Sequence, residues 1–171
     1  MDELGRKSPA DFLTSGKFPL ILVLDNVRSM MNTGSVFRTA DAFLLEAIYL
    51  CGITATPPHR EIHKTALGAT DSVHWRYFEE TIQAVARLKE MDYQVLAIEQ
   101  VRESINLKDF RPEPGRGYGL VFGHEVKGVG EEVLQACDAC LEIPQFGTKH
   151  SLNVSVTAGM VIWDFFSKLN P

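Results

Sequence analysis

Three segments of this 171-residue chain combine polar side chains with glycine in ways that suit chemistry on a bound ligand. The first spans residues 26–38 and contains Asn32 and Arg38. An arginine guanidinium holds a phosphate or a carboxylate through two parallel hydrogen bonds. The alternative is structural: Asn32 would cap a helix over residues 33–45, and Arg38 would pair with Asp41 one turn further on.

The second segment, residues 123–130, has the sequence Gly-His-Glu-Val-Lys-Gly-Val-Gly. Its glycines permit positive φ and a close approach of backbone to ligand. Glu125 either accepts the proton of a ribose hydroxyl or holds a loop amide, and the segment also fits an ordinary strand-to-helix turn. Neither a Gly-Lys-Ser/Thr ending nor the third glycine of the dinucleotide fingerprint is present, which disfavours a phosphate-binding Walker loop and a nicotinamide oxidoreductase.

The third segment, residues 143–157, contains a loop that ends at Ser151. We expect Ser151 to cap a final helix over residues 152–169. That helix is apolar nearly all round, so it must be buried on two sides. One side can pack on its own sheet and the other on a partner subunit; the alternative is an ordinary C-terminal core helix.

Short apolar runs alternate with helical patterns along the chain and predict an α/β fold with a largely parallel sheet. Ligands of such sheets bind beyond the carboxyl ends of the strands, where the three segments lie. The predicted strands cover residues 20–25, 47–51, 73–78, 93–98, 118–122 and 140–143, and the predicted helices cover 33–45, 60–67, 79–91, 131–136 and 152–169.

Composition bears on the partners and the compartment. The length suits one domain over residues 19–171 after a polar lead-in over residues 1–18. No apolar run reaches membrane-spanning length and the N-terminus does not resemble a secretion signal, so we expect a cytoplasmic protein.

Cys137 and Cys140 have Cys-x-x-Cys spacing but no second pair, which predicts no metal site. A net charge of −5 argues mildly against a nucleic-acid partner, although several basic residues lie in the loops.

Together the three segments resemble the SpoU (TrmH) family of SPOUT RNA 2′-O-ribose methyltransferases. The stretch from Asn32 to Arg38, followed by Thr-Ala, is similar to the first family motif. Phe-Gly-His-Glu-Val-Lys-Gly, residues 122–128, is similar to the second motif. Ile143-Pro, followed by Ser-Leu-Asn-Val-Ser-Val over residues 151–156, is similar to the third. The resemblance covers roughly residues 20–168, with the motifs in the right order.

The resemblance implies a Rossmann-like, mostly parallel sheet with a deep C-terminal trefoil knot, and a homodimer formed through the C-terminal helix. It implies S-adenosyl-L-methionine as the cofactor, bound in the knot without a metal. The implied catalytic residues are Arg38, Asn32, Glu125, Ser151 and Asn153. The implied cofactor contacts are Leu96, Ala97, Glu99, Gly123, Gly128, Ile143 and Leu152. The basic residues expected to contact RNA are Arg28, Arg60, Lys64, Lys127 and Lys149.

The sequence therefore predicts a methyltransferase that acts on the 2′-hydroxyl of structured RNA, either transfer RNA or ribosomal RNA. In the family, the motif-one arginine, here Arg38, reaches the cofactor of the other subunit. Because a guanidinium stays protonated in proteins, we expect Arg38 to clamp a phosphate rather than to accept the proton. The alternative function is a noncatalytic RNA-binding or assembly protein that retains the fold.

Overall fold

A seven-stranded sheet forms the centre of the computed structural model, which describes residues 9–148 and 151–170. The strands are β1 (Phe18–Asp25), β2 (Leu45–Cys51), β3 (Trp75–Phe78), β4 (Gln94–Ile98), β5 (Ile105–Asn106), β6 (Tyr118–Phe122) and β7 (Ala139–Glu142). The helices are α1 (Pro9–Thr14), α2 (Met30–Ala42), α3 (Arg60–Ala66), α4 (Thr81–Glu90), α5 (Glu131–Ala136) and α6 (Val154–Leu169), and a single 3-10 turn covers Ala69–Asp71.

The strand order is β3-β2-β1-β6-β4-β7-β5, and every neighbouring pair is parallel. This arrangement confirms the predicted α/β fold with a parallel sheet. Strands β1, β2 and β3 lie side by side in chain order toward one edge of the sheet. The later strands lie on the other side of β1, where β6 is inserted between β1 and β4. In open sheets the crevice at such a switch point is the usual ligand site.

The central strands of the sheet are apolar on both sides and are buried on both faces. Along β1, Leu20, Leu22 and Leu24 pack into one core with α2, α3 and α6. The alternate residues Ile21 and Val23 pack into a second core with α4 and α5. No helix in the described ranges is long and apolar enough to cross a bilayer.

Two helices begin at residues other than those predicted. Helix α2 is capped by Ser29, whose hydroxyl accepts from the Asn32 amide at 3.2 Å, so Asn32 is not its cap. Helix α6 is capped by Asn153, whose side chain accepts from the Ser155 amide at 2.9 Å, so Ser151 is not its cap. Each observed cap also makes a hydrogen bond to a distant segment of the chain, as described below.

Other predicted boundaries shift by a few residues. Helix α2 ends at Ala42 rather than at residue 45, because Leu45 pairs with Phe18 and begins β2. The two-residue strand β5 and the short helix α1 were not predicted as separate elements. Strand β6 and helix α5 have the predicted limits.

Gly34 allows α2 and α3 to pack in direct backbone contact. A Cβ built on Gly34 would overlap the Thr65 hydroxyl and the Ile62 carbonyl oxygen. The Thr65 hydroxyl donates to the Met31 carbonyl at 2.9 Å and so links the two helices. Gly34 therefore fixes α3 against the helix that carries Arg38.

We predict that Gly34→Ala lowers the free energy of unfolding by about 1–3 kcal/mol, because the new methyl group forces the two backbones apart. Chemical denaturation followed by circular dichroism measures this change. Gly16→Ala is the matched control, since nothing lies within 4 Å of a Cβ at Gly16 and its φ is ordinary. Equal stability of the two variants would contradict close α2–α3 packing.

Candidate functional site

A cavity of about 410 Å³ opens at the carboxyl ends of β4, β6 and β7. Its wall comes from residues 98–100, 122–129 and 141–143, together with Ser151, Leu152 and the start of α6. This volume lies in the range of small-molecule sites, roughly 300–1,000 Å³. The cavity therefore occupies the position expected for a ligand in a parallel sheet.

The loop after β6 folds into a tight turn against the cavity. His124 and Gly128 exchange backbone hydrogen bonds of 3.1 and 2.8 Å. The Nδ1 atom of His124 accepts from the amides of Val126 and Lys127 at 3.0 and 3.3 Å. Gly123 is required because a Cβ there would overlap the backbone of Gly128, which itself has a φ of +69°.

Two carboxylates hold the far end of this loop. Glu99 accepts from the Val129 amide at 3.1 Å, and a Cβ on Gly128 would overlap the Glu99 carboxylate. Asp25, only 3% exposed at the end of β1, accepts from the Gly130 amide at 3.1 Å. Asp25 also accepts from the Thr81 hydroxyl at 2.5 Å. Sequence reasoning treated Asp25 only as the last residue of an apolar strand and missed its role.

Glu125 joins the loop after β6 to the loop after β1. Its carboxylate oxygens accept from the backbone amides of Arg28 at 3.1 Å and Ser29 at 2.9 Å. Partial burial acts to raise the pKa of Glu125, but its own backbone N–H, those of Ser29 and Arg28, and nearby His124 outweigh burial, so this pKa lies below its usual value. Of the two roles considered, these contacts favour the holding of loop amides.

The first and third segments also meet. The side-chain amide of Asn153 donates to the Asn32 side-chain oxygen at 3.1 Å. Ser151 lines the cavity, whereas Asn32 and Asn153 lie outside its wall. The structure thus brings all three polar segments together, as their positions after parallel strands predicted.

Arg38 is exposed on α2. Its guanidinium makes no ion pair or hydrogen bond within residues 9–148 and 151–170. The alternative pairing with Asp41 is not formed, and Asp41 accepts from the Ser72 hydroxyl at 2.5 Å. Arg38 does not line the cavity of its own chain. Its five N–H donors are therefore available to an external group.

Five of the seven predicted cofactor contacts line the cavity: Glu99, Gly123, Gly128, Ile143 and Leu152. The other two, Leu96 and Ala97, do not line it. Both are fully buried, Leu96 in the core under α6 and Ala97 in the core under α4. The reason is that β4 remains covered on both faces until Ile98, where the cavity begins.

The basic residues fall into two groups. Arg28 and Lys127 are exposed on the two loops that Glu125 joins. Arg60 lines a separate groove beside α3, and Lys64 pairs with Glu61 at 2.7 Å on the same helix. Lys149 lies outside the described residues.

The cavity wall carries more acidic than basic side chains. Glu99, Glu125 and Glu142 line it, against Lys127 as the one lysine or arginine among its lining residues. A wall of this charge favours a cationic ligand over an anionic one. In the described part of the chain, no cluster of three or more His, Cys, Asp or Glu side chains is arranged to hold a metal ion.

Fold and site together define a parallel α/β protein with a ligand cavity at the carboxyl ends of three of its strands. Residues 19–163 match the model of the SpoU rRNA Methylase family, and the chain belongs to this family. It is 31% identical over 148 residues to the 23S rRNA (guanosine-2′-O-)-methyltransferase RlmB of Neisseria meningitidis, covering 84% of this chain and 56% of that protein.

Two solved structures share the fold. An AdoMet-bound rRNA methyltransferase from Sinorhizobium meliloti has a TM-score of 0.82 and 25% identity, covering 96% of this chain and 62% of that chain. A second structure, solved to give insight into the 2-OH methylation of C/U34 on tRNA, has a TM-score of 0.78 and 27% identity. The match covers 88% of this chain and 96% of that chain. The chain spans 55–61% of the length of several curated relatives.

We predict that Glu125→Gln lowers the free energy of unfolding at pH 7 by about 1–2 kcal/mol, because an amide group replaces a carboxylate that accepts backbone hydrogen bonds. The pKa of Glu125 is depressed in the folded state. Its stabilisation is therefore present above the ordinary value of 4.5 and is lost as the pH falls through the folded-state pKa. Unfolding titrations at several pH values should show wild type and variant converging in acid.

Glu103→Gln is the control for this experiment, because Glu103 is exposed and makes no hydrogen bond or ion pair among the residues that the structure describes. A Glu103→Gln profile that matches wild type, beside a shifted Glu125→Gln profile, assigns the effect to the loop contact. A pH-independent loss in Glu125→Gln would instead argue against a depressed pKa.

Proposed function

We propose that this protein is an S-adenosyl-L-methionine-dependent methyltransferase that acts on ribose 2′-hydroxyl groups of RNA, either transfer RNA or ribosomal RNA. The meeting of the three polar segments, two of which line one cavity, supports this proposal most strongly. The names of the relatives, which include enzymes that methylate guanosine 2′-O in 23S rRNA and proteins linked to tRNA, agree with it.

The cavity fits the methyl donor in size and charge. Its apolar wall residues, such as Ile143 and Leu152, suit an adenine ring, and its carboxylates suit a sulfonium and an ammonium group. When bound, S-adenosyl-L-methionine supplies a methyl group on a good leaving group. The protein then has to bind and orient the ribose, and this orientation lowers the activation barrier by several kcal/mol.

We assign these tasks to particular side chains. Arg38 clamps a phosphate next to the target ribose. It also stabilises the negative charge that develops on the 2′-oxygen of that ribose. Asn32 holds the ribose and is itself positioned by Asn153. Glu125 fixes the loop after β1 through its backbone amides, and Ser151 shapes the cavity. Arg28, Lys127 and Lys149 extend the contact to further phosphates, and Arg60 and Lys64 do so beside α3.

We further propose a homodimer in which α6 packs against a partner subunit. Val156, Met160 and Trp163 recur at helical spacing along α6 and are 52%, 44% and 59% exposed. An apolar stripe of this kind requires cover. Because Arg38 is unpaired among the described residues and lies outside the cavity of its own chain, it is available to serve the cavity of the partner.

The C-terminal trefoil knot and the domain limits belong to the same proposal. Helix α6 contacts α2 through Phe43 and Phe166, at 5.2 Å between ring centroids. It also contacts the connection after β5, through Phe110 and Phe165 at 5.6 Å. These contacts suit a chain that passes under that connection. We propose that residues 19–171 form one methyltransferase domain with a preceding lead-in.

We place the protein in the cytoplasm. Its three cysteines, Cys51, Cys137 and Cys140, are all free thiols, which suits a reducing compartment.

We predict that the wild-type protein binds S-adenosyl-L-methionine in calorimetry and transfers its methyl group to a ribose 2′-hydroxyl of RNA. Arg38→Ala and Arg38→Lys should each lose turnover by about 100-fold or more while retaining the affinity for S-adenosyl-L-methionine, since lysine cannot form the two parallel bonds. Mass spectrometry of digested RNA measures the 2′-O-methyl product.

Arg87→Ala, at an exposed helical arginine of α4 that pairs with Glu90, is the matched control and should keep wild-type turnover. Near-native turnover in either Arg38 variant would refute the assigned role. A wild-type protein that binds RNA but not S-adenosyl-L-methionine would point instead to a noncatalytic RNA-binding protein.

We predict that Met160→Lys converts the dimer to a monomer and abolishes methyl transfer, because it places a charge in the apolar stripe of α6. Light scattering gives the oligomeric state, and circular dichroism checks that the variant folds. Ala86→Lys introduces the same charge at an exposed position of α4 and should leave the dimer intact. A dimeric Met160→Lys protein would rule out this interface.

A further inference from the structure

A second groove, of about 560 Å³, lies beside α3 and separate from the cavity at the strand ends. Its lining consists of Pro57, Pro58, His59, Arg60, Ile62 and His63 on one side, and Thr70, Asp71 and Trp75 on the other. The two sides share no residue with the donor cavity. The groove is therefore an independent site.

Trp75 gives the groove an exposed aromatic wall. It stands at the first position of β3, the outermost strand at one edge of the sheet, and is 37% exposed. Trp75 pairs with Ile48, which packs into the core with α3, so its ring lies on the α3 side of the sheet. An indole with an accessible face is a stacking surface for a nucleobase.

The polar groups of the groove suit a nucleotide. Arg60, His59 and His63 are exposed at one side and can meet a phosphate. The Nδ1 atom of His59 accepts from the Glu61 amide at 3.2 Å, so the neutral ring carries its proton on Nε2 and donates there. On the other side, the Asp71 carboxylate can accept from the N–H groups of a base edge.

The groove is fixed to the helix that carries Arg38. Thr65 of α3 bonds to the Met31 carbonyl of α2 at 2.9 Å, under the close contact at Gly34. Next to Asp71 of the opposite wall, the Ser72 hydroxyl donates to Asp41 of α2 at 2.5 Å. A nucleotide in the groove would therefore be held on a rigid unit with the proposed phosphate clamp.

We propose that this groove binds one unstacked nucleotide of the substrate RNA, with its base on Trp75, its base edge at Asp71 and its phosphate at Arg60. The inference rests on the proposed function, because it takes the partner to be RNA. The site would bind a nucleotide other than the one that is methylated, because the groove and the cavity share no lining residue. Charge complementarity and the indole together favour a nucleotide over an apolar peptide.

The test is the binding of a short single-stranded oligoribonucleotide, followed by tryptophan fluorescence and by anisotropy of a labelled end. We expect quenching in the wild type. Trp75→Phe should keep most of the affinity and lose the quenching. The remaining tryptophan, Trp163, does not line the groove, so its fluorescence should not respond to binding there. Trp75→Ala and Arg60→Ala should each weaken binding by about 5- to 100-fold. Arg102→Ala, near β5 at the opposite edge of the sheet, should bind like wild type.

Unchanged affinity in Trp75→Ala and Arg60→Ala would overturn the inference, as would equal quenching by heparin, a polyanion without bases. The proposed function is tested separately in the same proteins, by calorimetry with S-adenosyl-L-methionine and by methyl transfer to RNA. If the wild type methylates RNA while the Trp75 variants bind the oligoribonucleotide normally, the proposed nucleotide site is wrong and the proposed function stands. If the wild type binds no RNA, both proposals are wrong.

Discussion

Carboxylates that accept backbone amide hydrogen bonds hold the functional edge of this protein together. Glu125 accepts from the amides of Arg28 and Ser29, nearly a hundred residues earlier in the chain. Asp25 and Glu99 do the same for Gly130 and Val129. Loops at the end of a parallel sheet carry amides that no strand can satisfy, and buried amides must find acceptors. Three side chains therefore hold two loops in place, and one of them, the loop after β6, forms a large part of the cavity wall.

This arrangement explains why the glycines of the loop after β6 matter. A carboxylate can approach an amide only where no side chain stands in the way. Gly128 has a positive φ and lies against Glu99, while Gly123 lies against the backbone of Gly128. A side chain at either position would push the loop away from its acceptor. These glycines are therefore required for the packing of the loop, and the chemistry of the site depends on the shape of the cavity that this packing produces.

Much of the fold follows from the sequence, because buried parallel strands are continuous apolar runs and their carboxyl ends share one edge. The meeting of the three segments could be predicted for the same reason. The starts of α2 and α6 could not, since Ser29 and Asn153 are selected by contacts with Glu125 and Asn32 that join distant segments. That Leu96 and Ala97 lie outside the cavity wall could not be predicted either, because a sequence does not show where along a strand burial ends and a cavity begins.

The separation of charge accounts for how an acidic protein can serve both a cation and a polyanion, as the proposed function requires. Glu99 and Glu125, which hold the loops, also line the cavity and make it unfavourable for phosphate. In the proposed function, RNA phosphates are then held outside it, where Arg28 and Arg38 are exposed on the loop after β1 and on α2. The net charge of −5 sums the whole chain and does not describe either place. Local geometry, set by a few amide–carboxylate bonds, decides which charge each partner meets.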